Sequence, residues 1–255
     1  MSLLGYGRSW QMFDTIQSQY YNNVANKKFE WFGEDNLENF KKHSAQPDTK
    51  KRLESSGWFN NTIVYQFNSH GFRGPEIDPI GDYFMSVGCS FTFGTAIQTE
   101  QRYADIVAEK LNMTSYNFGV QGGCDDTSFR LALTWLEQLT PKFLVYQNTF
   151  PQRFEVIDND QSVIYGINAA LGGSVAADTG VLYKQLLTNS ANEQIRSRKN
   201  LMAMRELCKE KNVRLIEVCY IDFLKTHDNN ARDMHHPGAI ANQAVAEKIL
   251  RELHG

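Results

Sequence analysis

From residue 82 onward, apolar residues alternate between short continuous runs and runs with helical spacing. The continuous runs predict buried strands, which we place at 83–87, 115–118, 143–146 and 214–221. Apolar residues spaced three and four apart predict helices that start near Tyr103, at Asp125 or Asp126, near Leu201 and at Pro237. This alternation predicts an α/β domain with a central parallel sheet covered by helices on both faces.

The first 78 residues lack this regularity. Of the chain's 31 aromatic residues, 14 lie before residue 76, in clusters separated by polar and charged side chains. Only residues 62–67 alternate like a short strand. We therefore expect residues 1–78 to form an irregular, aromatic-rich N-terminal extension packed on the α/β domain at 79–255. Its aromatic side chains would form either a wall or lid of the substrate site or a surface for a partner subunit, such as a second copy of the chain.

Within residues 79–255, one stretch is too long to be a simple loop between a strand and a helix. Residues 150–192 carry several glycines and other small residues, and loops of this length inside a domain are commonly functional. We expect an insertion or a lid there.

Composition and charge narrow the function classes. A chain of 255 residues with 42% apolar side chains can bury a core without disulfides or metals. A net charge of −3 argues against a nucleic-acid binder. No apolar run approaches the roughly 18 residues needed to span a bilayer, and the first residues do not read as a secretory signal. We expect a cytoplasmic protein without a cofactor.

Three polar segments follow predicted strands or precede the last predicted helix. Ser90 lies between Gly88 and Gly94, a glycine-rich bend occupies 117–123, and Asp233 precedes His236 by three residues. In an open parallel sheet, ligands bind beyond the carboxyl ends of the strands. A histidine can take the proton of a serine hydroxyl, and a carboxylate can orient that histidine. These segments therefore predict a serine nucleophile, its base and an orienting acid.

Each segment also has an ordinary explanation. Ser90 could cap the helix that follows, and the Asp-x-x-His sequence could be a cap beside a surface imidazole. A metal site is conceivable, but its candidates lack a recognised ligand spacing; they are His227, Asp228, Asp233, His235 and His236. The turn at 88–94 is neither a phosphate loop nor the Gly-x-Ser-x-Gly elbow of α/β-hydrolases. The order of all three segments together favours the serine nucleophile.

The same segments resemble the conserved blocks of the SGNH, or GDSL-type, hydrolases. GCSFTFG at 88–94 resembles the first block, NFGVQGG at 117–123 the second and DMHHPG at 233–238 the last; YQFNSHGFRGPE at 65–76 resembles a segment that precedes some catalytic domains. The resemblance implies a flavodoxin-like three-layer α/β/α fold and the hydrolysis or transfer of acyl groups from esters. It implies that Ser90 is the nucleophile, His236 the base and Asp233 its orienting carboxylate. The backbone N–H groups of Ser90 and Gly122 would donate to the oxyanion.

The sequence departs from the family pattern at two places. The aspartate before the serine is replaced by Cys89, which would lie on a loop next to Cys124, either as an ordinary free thiol or in a redox contact. The third block, Gly-x-Asn-Asp, is absent after the third predicted strand. Asn148 is the asparagine available there as an oxyanion donor, about two residues early. Alternative donors are Gln147, Thr149 and Arg153.

We therefore expect a serine hydrolase that cleaves acyl esters, of the carboxylesterase or deacetylase type, through a Ser-His-Asp triad. Its substrate would be a small-molecule or carbohydrate ester. Two other functions remain open at this point: transfer of acetyl groups to or from a carbohydrate, and a binding or assembly module with weakened catalysis on the same fold. The first keeps the triad and changes the acceptor, whereas the second would use the aromatic extension as its surface.

Overall fold

The computed structural model describes residues 18–157, 163–166, 190–228 and 230–255. The strands are β1 (Lys28–Phe29), β2 (Tyr65–Gln66), β3 (Tyr83–Gly88), β4 (Thr114–Gly119), β5 (Phe143–Asn148), β6 (Glu155–Ile157), β7 (Val163–Gly166) and β8 (Arg214–Cys219). The helices are α1 (Tyr21–Val24), α2 (Leu37–Ser44), α3 (Pro47–Ser55), α4 (Ser90–Phe93), α5 (Tyr103–Leu111), α6 (Asp125–Trp135), α7 (Ser190–Glu210), α8 (Tyr220–Leu224) and α9 (Ala239–His254).

A parallel four-stranded sheet forms the centre of the molecule, in the order β4-β3-β5-β8. The first core strand, β3, lies inside the sheet with β4 on one side and β5 on the other. This is the strand order with which flavodoxin-like folds begin, and ligands of such folds bind where the chain changes side. Ser90 follows β3 directly, so it lies at that point.

Alternating residues of the core strands cover the two faces of the sheet. Met85 of β3 faces α6 and α7, whereas its neighbour Phe84 faces α5 and α9. Both faces are thus buried under helices, which explains why the strands read as continuous apolar runs. The predicted three-layer α/β/α fold with a central parallel sheet is confirmed.

The segment before the sheet contains more secondary structure than the sequence predicted. We expected an irregular extension, yet α2, α3 and the β1–β2 pair lie within it. The side chain of Asn36 accepts a hydrogen bond from the Asn39 N–H at 2.9 Å and caps α2, while Pro47 is the first residue of α3. Each helix buries only one residue, His43 and Leu53 respectively. Helices this short and polar leave no readable hydrophobic period.

Three element boundaries also differ from the prediction. The strand expected at 214–221 ends at Cys219, because Tyr220 begins α8. The strand expected at 62–67 is reduced to Tyr65–Gln66, and the helix expected near Leu201 begins at Ser190. Within 150–192, β6 and β7 pair as an antiparallel ribbon. Residues 158–162 and 167–189 lie outside the described part of the chain, and most of the expected lid falls on them.

No helix among the described residues is long and apolar enough to cross a membrane.

Candidate active site

Ser90 is held at the start of α4, in a turn that depends on close contacts around it. A Cβ on Gly88 would lie 2.3 Å from Thr92 Oγ1 and 2.5 Å from Gln147 Oε1, so only glycine fits there. Gly94 ends the helix with φ +76°, a conformation that favours glycine. Ser90 is 5% exposed. The glycines on both sides of the serine are thus explained by packing and backbone conformation.

Asp233 and His236 form a hydrogen-bonded pair within one tight turn. His236 Nδ1 lies 2.5 Å from Asp233 Oδ2, and Asp233 Oδ1 accepts the N–H groups of His235 and His236 at 3.0 Å each. Met234 has φ +60° at the centre of this turn. Because an ionised carboxylate only accepts, the ring proton belongs on Nδ1, and Nε2 is left to act as a base.

The environment keeps the carboxylate of Asp233 ionised. Asp233 is 1% exposed, and burial alone would raise its pKa. The hydrogen bonds from His236 and the charge of that ring outweigh burial, so the pKa of Asp233 lies below its ordinary value. The side chain of His236 is 15% exposed and remains accessible.

Aromatic contacts bring this turn against the first turn of α4. The ring of Phe91, the residue after Ser90, meets the His236 ring edge-on with centroids 6.0 Å apart. Met234 packs in the same buried cluster as Phe93. The structure thereby brings together the segments of all three predicted triad residues.

The bend after β4 lies beside the same helix. A Cβ on Gly119 would lie 2.3 Å from the backbone nitrogen of Phe93, and Val120 N–H donates to the Gly88 carbonyl at 3.0 Å. Gly122 has φ +72° with open space around its Cα. Within the described residues, no backbone carbonyl accepts a hydrogen bond from the N–H of Ser90 or Gly122, the two predicted oxyanion donors.

Gln147 holds the turn that begins with Ser90 in place, a role that the sequence did not predict. This fully buried side chain accepts from Cys89 N–H at 3.0 Å and from the Thr92 hydroxyl at 3.2 Å. Its amide nitrogen donates to the Asn148 carbonyl. Both the oxygen and the nitrogen of the Gln147 amide are thus hydrogen-bonded within the protein. A polar residue at the end of an apolar strand is the signal that points to such a role.

The other third-block candidates have different partners. Asn148 Oδ1 accepts from Tyr220 N–H at 3.1 Å, which leaves Nδ2 as the atom that could donate to an oxyanion. The backbone N–H of Thr149 donates to Asp125 Oδ1 at 2.8 Å. Arg153 Nη1 donates to the Gly123 carbonyl at 3.4 Å, and its guanidinium lies 4.8 Å from the Phe150 ring centroid. Asn148 remains a prediction for this role.

The two cysteines near the site are free thiols with separate partners. Cys89 Sγ donates to Gln147 Oε1 at 3.2 Å, whereas Cys124 Sγ lies 3.4 Å from Thr127 Oγ1. Burial raises the pKa of Cys124 to about 12, with a further contribution from Asp126. Such a thiol stays protonated at neutral pH and is a poor nucleophile.

Among the residues considered for a metal site, Asp228 has a structural role. Asp228 Oδ2 accepts from Ala241 N–H at 3.1 Å in the first turn of α9, so its carboxylate caps that helix. In the described ranges, no three His, Cys, Asp or Glu side chains form a group that could hold a metal ion.

The N-terminal segment contacts the site on the side of the Asp233 turn. Arg232 donates to Asp35 through Nε at 2.9 Å and Nη2 at 2.7 Å, and its guanidinium lies 3.7 Å from the Trp31 ring centroid. Asp35 Oδ2 also accepts the Tyr65 hydroxyl at 2.6 Å. The backbone N–H of Arg232 donates to the Ala96 carbonyl at 2.8 Å. This network joins the segment to the loops on both sides of the site.

A second buried arginine ties the same segment to α4. The guanidinium of Arg73 donates to the carbonyls of Gly94 and of Ile97, the latter at 2.9 Å. It also stacks 4.3 Å from the Tyr65 ring centroid. Arg73, a residue of the GFRG sequence, thus satisfies carbonyls at and after the end of α4.

Comparisons with known proteins give structural neighbours only. No family model matches the chain, and no curated protein matches its sequence. Among solved structures, the chain is similar to a lipolytic protein of the G-D-S-L family from Veillonella parvula, at 12% identity and TM-score 0.37, over 67% of this chain and 97% of that one. It is similar to the esterase EstA from Pseudoalteromonas sp., at 14% identity and TM-score 0.37, over 69% and 100%. It is similar to the acetyl xylan esterase Est2A from Butyrivibrio proteoclasticus, at 10% identity and TM-score 0.43, over 76% and 66%.

The first of these structures belongs by its description to the G-D-S-L family, which the sequence motifs resemble, and the other two are described as esterases.

Proposed function

We propose that this protein is a serine hydrolase of the SGNH type that cleaves acyl esters. The observation that carries the proposal is the hydrogen-bonded pair of the buried Asp233 and the accessible His236, at 2.5 Å, packed through Phe91 against the turn that begins with Ser90. A helix cap alone would not need an imidazole that is held by Asp233 and packed on the residue after Ser90. The substrate class we propose is a small-molecule or carbohydrate ester.

In the proposed reaction, Ser90 Oγ attacks the acyl carbonyl while His236 Nε2 takes its proton. Asp233 holds the imidazole in one tautomer and stabilises the imidazolium. The N–H groups of Ser90 and Gly122, together with Asn148 Nδ2, donate to the oxyanion. His236 then protonates the leaving alcohol. In the second half-reaction, His236 takes a proton from water as the water attacks the acyl carbonyl, and it returns this proton to Ser90 Oγ when the bond between Ser90 and the acyl group breaks.

We propose the same division of the chain as above, with a catalytic domain at 79–255 and an extension at 1–78. The Arg73 and Arg232 contacts support an extension that packs on the catalytic domain.

The test is covalent labelling of the full chain with a fluorophosphonate, followed by mapping of the labelled peptide. We expect label on Ser90, and neither label nor p-nitrophenyl acetate turnover in Ser90→Ala. His236→Ala should lose turnover, whereas the matched variant His235→Ala should keep it, because His235 lies on the same turn without the contact to Asp233 Oδ2. A folded protein that leaves Ser90 unlabelled would refute the proposal.

A further inference from the structure

We infer that Tyr20 is a positioning residue for the proposed hydrolysis: its hydroxyl fixes the peptide unit that carries the Gly122 N–H. The inference rests on the proposed function, since the orientation of this N–H matters for turnover only if it receives the oxyanion. It assigns the support of one oxyanion donor to Tyr20, which lies outside the three segments that resemble the family blocks.

The contact lies on the peptide bond between Gln121 and Gly122. Tyr20 Oη donates to the Gln121 carbonyl oxygen at 3.0 Å. That oxygen and the Gly122 N–H belong to one planar trans peptide, so they point in opposite directions. A hydrogen bond that fixes the carbonyl therefore fixes the direction of the N–H as well.

This peptide has little else to hold it. Gly122, with φ +72°, is followed by Gly123, and glycines impose few limits on backbone rotation. The nearest backbone hydrogen bond in the bend runs from Gly123 N–H to the Val120 carbonyl at 2.9 Å. It closes the turn but leaves both ends of the Gln121–Gly122 peptide without a backbone partner in the described part of the chain.

Tyr20 is itself fixed by packing, so its hydroxyl can hold the Gln121 carbonyl in one position. Its ring meets the Phe32 ring edge-on with centroids 5.2 Å apart, and it packs against two buried apolar clusters. Burial, assisted by the charge of Glu34, raises the pKa of Tyr20, so the hydroxyl keeps its proton at neutral pH. Such a hydroxyl always has a hydrogen to donate.

The side chain of Gln121 is fixed from a second direction. Gln121 Nε2 donates to Thr95 Oγ1 at 2.9 Å. A Cβ on Gly33, where φ is +65°, would lie 2.1 Å from Gln121 Oε1, so the backbone of the extension lies directly against this side chain. The segment thus contacts Gln121 at its backbone and at its side chain.

The expected benefit is a donor that is aimed before the reaction starts. Oxyanion donors act mainly because they need no reorganisation as charge develops. A hydrogen bond to the carbonyl also polarises the peptide and makes its N–H a stronger donor. Both effects favour the transition state over the bound substrate, so they should appear in kcat rather than in KM.

The experiment compares Tyr20→Phe with the matched variant Tyr116→Phe. Tyr116 also donates its hydroxyl to a backbone carbonyl, that of Asp78, but it packs on Tyr83 at the opposite end of the sheet. We expect Tyr20→Phe to lower kcat for p-nitrophenyl acetate about tenfold with KM nearly unchanged, in line with the loss of one hydrogen bond. The rate of Ser90 labelling by the fluorophosphonate should fall in parallel, and Tyr116→Phe should leave both rates unchanged.

The outcomes separate the two proposals. If the wild-type chain is folded but Ser90 is not labelled, the proposed function fails, and this inference fails with it. If the wild type reacts and Tyr20→Phe matches Tyr116→Phe in kcat, only this inference is overturned. A rise in KM with unchanged kcat would also overturn it, because it would place Tyr20 in ground-state binding.

Discussion

The carboxylate of Asp35 and the guanidinium of Arg232 form a two-point ion pair in the interior, at 2.9 and 2.7 Å. Their side chains are 1% and 2% exposed. Arg232 is the residue directly before Asp233, so the pair connects the N-terminal segment to the turn that orients His236. Its disruption should affect both the stability of the fold and the alignment of the proposed base.

Removal of one partner should be costly. Asp35→Asn and Arg232→Met each leave a buried charge without its counterion, and we expect the free energy of unfolding to fall by about 3–5 kcal/mol in each. The double variant should regain part of that loss, since it removes both charges. Chemical denaturation provides the measurement.

The control is the exposed ion pair between Arg205 and Glu217. Its distances are just as short, but water screens it, so Arg205→Met should change the free energy of unfolding little. Equal losses for Arg232→Met and Arg205→Met would contradict the role given to burial.

Asp233→Asn should lower kcat strongly while the turn survives. An amide can still accept the two backbone N–H groups, but its NH₂ cannot accept from His236 Nδ1, so the ring would adopt the other tautomer. We expect a loss in kcat of about 10²–10⁴. Circular dichroism of the variant would show whether the fold is retained, and unchanged kcat would argue against the assigned acid.

The same variant should change stability in acid. The pKa of Asp233 is lowered in the folded protein, so its stabilising contribution is complete above the ordinary carboxylate pKa. That contribution is lost as the pH falls through the lowered value. Asp233→Asn should therefore show a shallower loss of stability below about pH 4 than the wild type does. Urea denaturation at a series of acidic pH values tests this.

Gln147→Met should remove hydrogen bonds that hold the turn beginning with Ser90. Methionine fills a similar volume but replaces the amide oxygen that accepts from Cys89 N–H and the Thr92 hydroxyl; Thr92 keeps its contact with the Tyr103 hydroxyl, whereas Cys89 N–H would be buried without a partner. We expect a loss of about 1–3 kcal/mol in the free energy of unfolding, together with slower labelling of Ser90. An exposed amide of the same type, Gln243→Met on α9, provides the comparison and should alter neither quantity.

His43 should make the folded protein sensitive to mild acid. Burial, and next the neighbouring His235, lower the pKa of His43, although Asp233 acts in the opposite direction. Because the unfolded chain then binds a proton more readily than the folded one, stability should fall as the pH drops below about 6.5. His43→Gln should flatten this dependence between pH 5 and 6.5, as followed by thermal unfolding. An unchanged slope would mean that another group dominates.

The sequence predicted the parts of the structure that depend on local patterns. Continuous apolar runs located β3, β4 and β5 to within two residues, because strands buried on both faces have no polar alternation to obscure them. The spacing of three residues also predicted that Asp233 and His236 lie in one turn. Gln147 and Asn148 could not be distinguished in this way, since their roles depend on which way each amide faces at the end of β5.

The contacts of the N-terminal extension could not be predicted from the sequence, for a related reason. Its helices bury one residue each, and its two arginine networks join residues far apart in the chain. Nothing near Asp35 in the sequence indicates Arg232, which lies 197 positions away. Tyr20 and Gln121 are separated by 101 positions. Such pairs become visible only when the sheet places their elements side by side.

That separation also has a consequence for the order in which the chain becomes active. During synthesis, Asp35 and its hydrogen-bond donor Tyr65 are made long before Arg232. The carboxylate of Asp35 therefore has no counterion until residue 232 has been made. Contacts between such distant positions slow folding, because a large loop must close before they form. A nascent chain stopped short of residue 232 should hold a partly ordered sheet but no functioning hydrolytic centre, and the onset of Ser90 labelling would time the completion of the fold.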